Sequence, residues 1–110
     1  MVLIMITSWI PQGKEHVVGE KYNEVMREYP GESFEKAVLP LAVVSSENGT
    51  KVISIVSVKE GEYEKAIKRI TKRMLSLSSV VNLNYQIETL LSGKEALGLI
   101  GLGIPKKLPM

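Results

Sequence analysis

The chain has 110 residues, of which 45% are hydrophobic, and its 14 basic and 12 acidic residues give a net charge of +2. This length corresponds to a single domain, residues 1–110, which buries only about 65% of the surface that the unfolded chain exposes. The near-neutral charge argues against a dedicated nucleic-acid-binding protein, for which a strong basic excess is typical. The absence of cysteine excludes disulfides, zinc–thiolate sites and iron–sulfur clusters, and it agrees with a reducing, cytoplasmic location.

The first predicted element is a strand over residues 2–10, which ends at Pro11. Both alternating faces of this strand are apolar, which is typical of a central strand covered on both sides. The two faces consist of Val2, Ile4 and Ile6 on one side and Leu3, Met5 and Trp9 on the other. About ten apolar residues are too few to span a bilayer, so we expect no membrane as a partner.

A helix follows over residues 14–29, with one apolar stripe at three- and four-residue spacing, and Pro30-Gly31 ends it. Residues 36–45 predict a second strand. Pro40 lies within this strand and cannot donate a ladder hydrogen bond, which favours an edge or bulged position. Asn48-Gly49 predicts a hairpin turn into a third strand, residues 51–58, whose two faces are again largely apolar.

The last third of the chain predicts a helix over residues 62–77 and a strand over residues 80–91. This fourth strand alternates between apolar and polar side chains, so one of its faces is polar. Ser92 and Glu95 have the spacing of a capping box and predict a short third helix to about Ile100. We expect this C-terminal helix and the apolar tail, which together start at about residue 92, to pack on a sheet edge or on a neighbouring subunit.

The order β-α-β-β-α-β predicts a ferredoxin-like α+β fold, with both long helices on one face of a four-stranded antiparallel sheet. In that topology the first and third strands are central, in agreement with their two apolar faces. Two helices cover only one face, so a second apolar set remains on the other. The simplest cover for it is a second copy of the sheet, and we expect a homodimer or a higher symmetric oligomer.

This order of elements, together with the exit of the first strand through Trp9-Ile-Pro-Gln-Gly-Lys-Glu15, resembles the dimeric α+β-barrel group of small proteins. The resemblance covers residues 2–91. It implies that two sheets face each other and enclose a cavity. The group includes cofactor-free monooxygenases of antibiotic biosynthesis, muconolactone-isomerase-type enzymes and stress-responsive barrel proteins. No catalytic motif of any one of these families is present in this sequence.

Five residues are candidates to line such a cavity: Trp9, His16, Asn84, Gln86 and Glu88. If Tyr85 and Ile87 face the helices, then Asn84, Gln86 and Glu88 face the space between the sheets. A partly buried glutamate in that space could move protons, and His16 could act as a base. For each candidate the structural alternative is more common: an exposed helix start for His16, a solvated edge for the polar residues, and a core or interface position for Trp9.

With one histidine, no cysteine and only glutamates among the acidic residues, we expect no metal site and no cofactor. The helix predicted over residues 62–77 carries a basic flank, which consists of Lys65, Lys68, Arg69, Lys72 and Arg73. A solvated helix face explains this flank better than nucleic-acid binding does, because aromatic residues are not interleaved with the charges.

These observations leave three functional hypotheses. The first is a homo-oligomeric protein that binds a small apolar molecule between its sheets without turnover. The second is a cofactor-independent monooxygenase or isomerase of the dimeric-barrel type, with Glu88 or His16 as base. The third is a nucleic-acid or regulatory module that uses the basic flank. The scarcity of acid–base groups favours the first hypothesis, in which the protein is not an enzyme.

Overall fold

The structure, a computed structural model, describes residues 2–103. The chain forms four strands and three helices in the predicted order. Their bounds are β1 (Val2–Ile10), α1 (Glu15–Glu28), β2 (Glu35–Ser46), β3 (Gly49–Val58), α2 (Tyr63–Ser78), β4 (Asn84–Leu90) and α3 (Gly93–Leu99).

The strands form one antiparallel sheet in the order β2-β3-β1-β4. The two strands with two apolar faces, β1 and β3, are therefore central, and β2 and β4 are the edges, as the sequence predicts. Side chains alternate between the two faces of a strand, so the even-numbered residues of β1 share one face. Ile4 and Val58 on that face are completely buried, together with Ile70 of α2 and Val18 of α1. Both long helices thus pack against the same face, and the predicted ferredoxin-like fold is confirmed.

Pro40 interrupts the ladder between the edge strand β2 and β3. The register shifts twice here, first between Ala37 and Leu39 and then, across Pro40, between Leu39 and Ala42. Since proline has no N–H to donate, a bulge at this point costs less than it would elsewhere in the sheet. This bulged edge was expected from the sequence.

The turn between β2 and β3 depends on Gly49. Its φ of 122° lies in the region that favours glycine, and a Cβ at this position would overlap the carbonyl oxygen of Ile10. The hydroxyl of Ser46 closes the turn, since it donates to the Gly49 carbonyl over 3.1 Å and accepts from the Asn48 N–H over 3.2 Å. The predicted Asn-Gly turn therefore forms and fixes the register of the hairpin.

The fourth strand begins later than the sequence predicts, at Asn84 instead of residue 80. Residues 79–83 form the turn in which the chain leaves α2, with a hydrogen bond from the Leu83 N–H to the Val81 carbonyl. Leu83 is buried in the core from within this turn. The apolar positions Val81 and Leu83 resembled a strand because the turn packs them on the same core as Tyr85 and Ile87.

The capping box predicted at α3 is present. The Ser92 hydroxyl accepts from the Glu95 N–H, and the Glu95 carboxylate accepts from the Ser92 N–H. None of the residues of α3 is buried, and Leu99, Ile100 and Leu102 are exposed. Within the single chain, Leu99, Ile100 and Leu102 therefore do not pack on a sheet edge, and packing on a neighbouring subunit stays a prediction. Residues 104–110 of the predicted tail lie outside the described residues.

Candidate functional site

The face of the sheet opposite to α1 and α2, called here the open face, carries the odd-numbered residues of β1. In register with them lie Ile53 and Ile55 of β3 and the polar side of β4. Met5 stands beside Ile55, and Thr7 stands beside Ile53, so the apolar residues of the two central strands are adjacent. The apolar set that β1, β3 and β4 place on this face comprises Leu3, Met5, Trp9, Ile53, Ile55 and Leu90, and Ala42 and Val44 of β2 lie beside it on the same face.

Four of the five candidate residues lie together on this open face. Tyr85 and Ile87 pack on the core, so Asn84, Gln86 and Glu88 point the other way, and all three are exposed. The register sets Trp9 beside Asn84 and Met5 beside Glu88. Trp9 is 40% exposed, which is unusual for the only tryptophan of a small domain.

His16 lies apart from these four residues. It occupies the first turn of α1, which packs against the opposite face of the sheet. Its Nε2 is 2.5 Å from Oε1 of Glu20, and both side chains are largely exposed. In a single chain the histidine therefore belongs to a solvated helix surface, with a partner on its own helix.

A cavity of about 240 Å³ lies on the other side of the sheet, between the two long helices and the strands β2 and β3. Its walls are mainly apolar, and the bulge at Pro40 forms part of its outer wall. The residues that line it include Ile6, Tyr22, Met26, Leu41, Ser54 and Met74. Ser54 faces the helices between Val52 and Val56, so a small side chain stands where its strand otherwise carries valine.

Two charged side chains, Glu35 and Arg73, line the same cavity. Their exposed fractions are only 6% and 13%, and Nη2 of Arg73 donates to Oε2 of Glu35 over 2.8 Å. Arg69 adds a longer contact of 3.6 Å to the same carboxylate and donates to the Pro30 carbonyl over 2.6 Å. Within residues 2–103, Oε1 of Glu35 and Nε of Arg73 have no hydrogen-bond partner.

This charged cluster belongs to the basic flank of α2. Lys65 pairs with Glu62 at 3.3 Å and Lys68 with Glu64 at 3.0 Å, while Arg69 and Arg73 pair with Glu35. Four of the five cations of the flank therefore have a glutamate partner. The flank presents alternating charges to the solvent and no continuous positive surface.

The sequence pattern identified the open face and missed the cavity beside the helices. The available signals were weak: a serine on the inner face of an apolar strand, and a proline on the strand beside it. The pairing of Glu35 with Arg73 connects residues 38 positions apart and left no local pattern. In the part of the chain that the structure describes, no group of three or more potential metal ligands lies together.

No protein-family model matches the chain, and no curated protein matches it. Among solved structures it is similar to the de novo designed protein Foldit4, with a TM-score of 0.56 and 12% identity over 83% of this chain and 97% of that one. It has the ferredoxin-like fold. At this identity the likeness concerns the fold alone, and a designed protein carries no natural activity to compare.

Two other structures have lower scores. A dimeric ferredoxin-like protein from an uncultured marine organism gives a TM-score of 0.47 and 13% identity over 84% of this chain and 90% of that one. A monooxygenase from Streptomyces coelicolor, in complex with nanaomycin D, gives a TM-score of 0.41 and 18% identity over 84% of this chain and 89% of that one. At these scores and identities neither likeness says anything about the activity or the assembly of this chain. No helix among residues 2–103 has the length and apolar character needed to cross a membrane.

Proposed function

We propose that this protein is a homodimer, paired through its open faces, that binds a small apolar molecule without turning it over. The observation that carries the proposal is the open face itself. Its central strands present Leu3, Met5, Trp9, Ile53 and Ile55, while both long helices pack on the opposite side. A contiguous apolar surface of this kind marks an interaction site on a soluble protein.

A second copy is the simplest partner because a two-fold axis lets the same surface cover itself. Sheets that pack face to face lie about 10 Å apart, with interdigitating side chains. Trp9 supplies a large contact area near one end of the strand, and Met5 and Ile55 supply a flexible and a branched side chain beside each other. The resulting interface would be apolar along β1 and β3 and polar along β4.

The cavity between the helices and the sheet supports ligand binding. Its volume of about 240 Å³ exceeds the roughly 150 Å³ of an apolar cavity that accepts benzene and approaches the lower limit of about 300 Å³ for ligand pockets. An apolar molecule of about two rings matches this size. The space between the paired sheets, with Asn84, Gln86 and Glu88 on its border, is the second location for such a ligand and the one expected from the sequence.

Binding without turnover follows from the scarcity of free acid–base groups. In the cavity beside the helices, the charged side chains are already paired with one another, since the Glu35 carboxylate contacts Arg73 and Arg69. A monooxygenase or isomerase of the dimeric-barrel type would instead use a base such as Glu88 on the open face or His16 on α1. Replacing that base by glutamine would abolish such an activity and leave ligand binding intact, which separates the two hypotheses.

Light scattering tests the assembly. At micromolar concentration the wild-type chain is expected to have the mass of a dimer, and Trp9→Glu is expected to have the mass of a monomer, because it places a charge in the apolar interface. Leu75→Glu is the control, since Leu75 is 56% exposed on α2, away from the open face. A monomeric wild-type protein would remove the basis of the proposal.

Fluorescence of Prodan, a dye with the two fused rings of naphthalene whose emission increases and shifts to the blue in an apolar site, tests the ligand. Ser54→Leu fills the cavity beside the helices, and Gln86→Phe fills the space between the sheets. If the signal is lost in Ser54→Leu but not in Gln86→Phe, the ligand binds on the helix side of the sheet. If it is lost in Gln86→Phe but not in Ser54→Leu, the ligand binds between the sheets. If the wild-type dimer does not bind the probe, the ligand-binding part of the proposal is wrong.

A further inference from the structure

The cavity between the helices and the sheet has mainly apolar walls with a charged pair among them. The pair consists of Glu35 and Arg73, which both line the cavity and have only 6% and 13% of their side chains exposed. Ligand pockets commonly combine apolar walls with a few polar groups that orient the bound molecule. The hydrogen bonds that this pair still lacks therefore indicate which polar group a ligand would carry.

Each member of the pair has one unsatisfied polar atom. Nη2 of Arg73 donates to Oε2 of Glu35 over 2.8 Å, whereas Oε1 of Glu35 and Nε of Arg73 are buried and have no hydrogen-bond partner among residues 2–103. Nε of Arg69 is 3.6 Å from Oε1, which exceeds the length of a hydrogen bond. The two unsatisfied atoms lie close together, because one carboxylate and one guanidinium carry them and the 2.8 Å hydrogen bond joins these two groups.

An unsatisfied acceptor beside an unsatisfied donor matches a hydroxyl group. A buried polar atom without a partner is costly, because it has lost its hydrogen bond to water and gained none in return. A hydroxyl donates one hydrogen bond and can accept others. One hydroxyl can therefore donate to Oε1 of Glu35 and accept from Nε of Arg73, whereas an ether can only accept and a hydrocarbon can do neither.

The charges beside the cavity favour a neutral group over an ion. Arg73 is paired with Glu35, and Arg69 contacts both Glu35 and Glu32, the latter at 3.4 Å. Two guanidinium groups and two carboxylates therefore balance within this cluster. A ligand carboxylate or ammonium group would find no unpaired charge of opposite sign to offset the cost of its own desolvation.

We propose that the ligand of this cavity is a largely apolar molecule of about two rings with one hydroxyl group, which binds to Glu35 and Arg73. This ligand class rests on the ligand binding proposed above. The hydroxyl lies against β2 and α2, which carry the pair, and the rings contact the apolar part of the lining, which includes Met26, Leu41 and Met74.

Displacement of Prodan by three compounds with the same two rings tests this ligand class. 2-Naphthol carries the hydroxyl, 2-methoxynaphthalene keeps only an acceptor oxygen, and 2-methylnaphthalene has no polar group. We expect 2-naphthol to displace the dye at concentrations at least about tenfold below those of the other two, because a hydrogen bond to a charged group is worth a factor of that order. Burial of apolar surface alone gives the reverse order, with 2-methylnaphthalene as the strongest competitor, and that result would contradict the proposal, as would equal potency.

Glu35→Gln shows whether this pair is the origin of the preference. With its carbonyl oxygen towards Arg73, the glutamine presents an NH₂ donor in place of Oε1, so the acceptor for the ligand hydroxyl is lost. The advantage of 2-naphthol over 2-methoxynaphthalene should then disappear. Glu28→Gln, the same substitution at an exposed position of α1, is the control and should keep it. An advantage that survives Glu35→Gln would place the hydroxyl elsewhere and contradict the proposal.

The outcomes separate this ligand class from the proposed function. If Ser54→Leu abolishes Prodan binding, the cavity holds the dye, and a missing preference for 2-naphthol then contradicts the hydroxyl alone. If only Gln86→Phe abolishes it, the ligand lies between the sheets and the hydroxyl site beside the helices is wrong. If Prodan does not bind the wild-type protein, ligand binding as proposed above is wrong and the hydroxyl site with it. Circular dichroism of each variant verifies that the fold is unchanged.

Discussion

At the scale of single residues, the least expected feature is the buried pair of Glu35 and Arg73. Two charges of opposite sign stand in the wall of an apolar cavity, and most of their surface is removed from water. Taking charges out of water costs several kcal/mol for each ion, and mutual attraction offsets this cost only with good geometry. The role of the pair is therefore to fix the position of β2 relative to α2 rather than to add net stability to the fold.

The pair gives a prediction about unfolding. Arg73→Met leaves the Glu35 carboxylate buried with only the 3.6 Å contact to Arg69. The free energy of unfolding should fall by about 3 kcal/mol, at the low end of the range for a broken buried pair because Arg69 remains. Urea unfolding measures this change. The double variant Glu35→Met with Arg73→Met is expected to lose less than the single variant, and a larger loss would show that the pair is a net source of stability.

Two glycines differ in what they contribute to the turn and the helix that contain them. Gly49→Ala forces a Cβ against the Ile10 carbonyl at a positive φ, whereas no atom lies within 4 Å of a Cβ at Gly19 in the exposed face of α1. We expect Gly49→Ala to destabilise the protein and Gly19→Ala to stabilise it by roughly 0.5–1 kcal/mol. Thermal unfolding of both variants checks the opposite signs. Equal effects would mean that the hairpin turn tolerates a side chain.

At the scale of elements, the sequence predicts most of the fold because each element carries a local signal. The two apolar faces of β1, the proline of β2 and the Asn-Gly turn each have a physical cause within a few residues of the feature. The start of β4 was misplaced because a turn and a strand can present the same alternation to one core. The cavity beside the helices was missed because it forms between elements distant in the chain, and no single segment contains its shape.

The C-terminal element gives the third prediction. Truncation after Gly93 removes α3 and the apolar residues that follow it. Because burial of a leucine or isoleucine contributes on the order of 1.5–3 kcal/mol, the dimer dissociation constant should rise at least about tenfold. The melting temperature at a fixed protein concentration should fall with it. Sedimentation equilibrium and calorimetry measure the two quantities, and an unchanged mass and melting point would show that this segment does not contribute to the assembly.

At the scale of the whole molecule, charge and apolar surface point to the same kind of partner. The net charge of +2 gives little long-range field, while the apolar residues on the open face and the exposed Leu99, Ile100 and Leu102 exceed what a single small core uses. A protein with this distribution gains more from apolar contacts with a second copy than from attraction to a charged polymer. Among residues 2–103, the basic flank of α2 is the feature that argues otherwise.

Nucleic-acid binding gives the last prediction. Affinity for a phosphate backbone comes mainly from the release of counterions, so it requires several unpaired cations. On α2, Lys65, Lys68, Arg69 and Arg73 already have glutamate partners, and only a few phosphates could be neutralised without breaking those pairs. We expect no sub-micromolar binding to fluorescent single-stranded or duplex oligonucleotides at physiological salt. At low salt we expect weak binding, and Lys72→Glu on α2 and the control Lys14→Glu outside α2 should reduce it to the same extent. Sub-micromolar binding at physiological salt that only Lys72→Glu abolishes would instead identify the flank as a nucleic-acid site, because the loss would then be specific to α2.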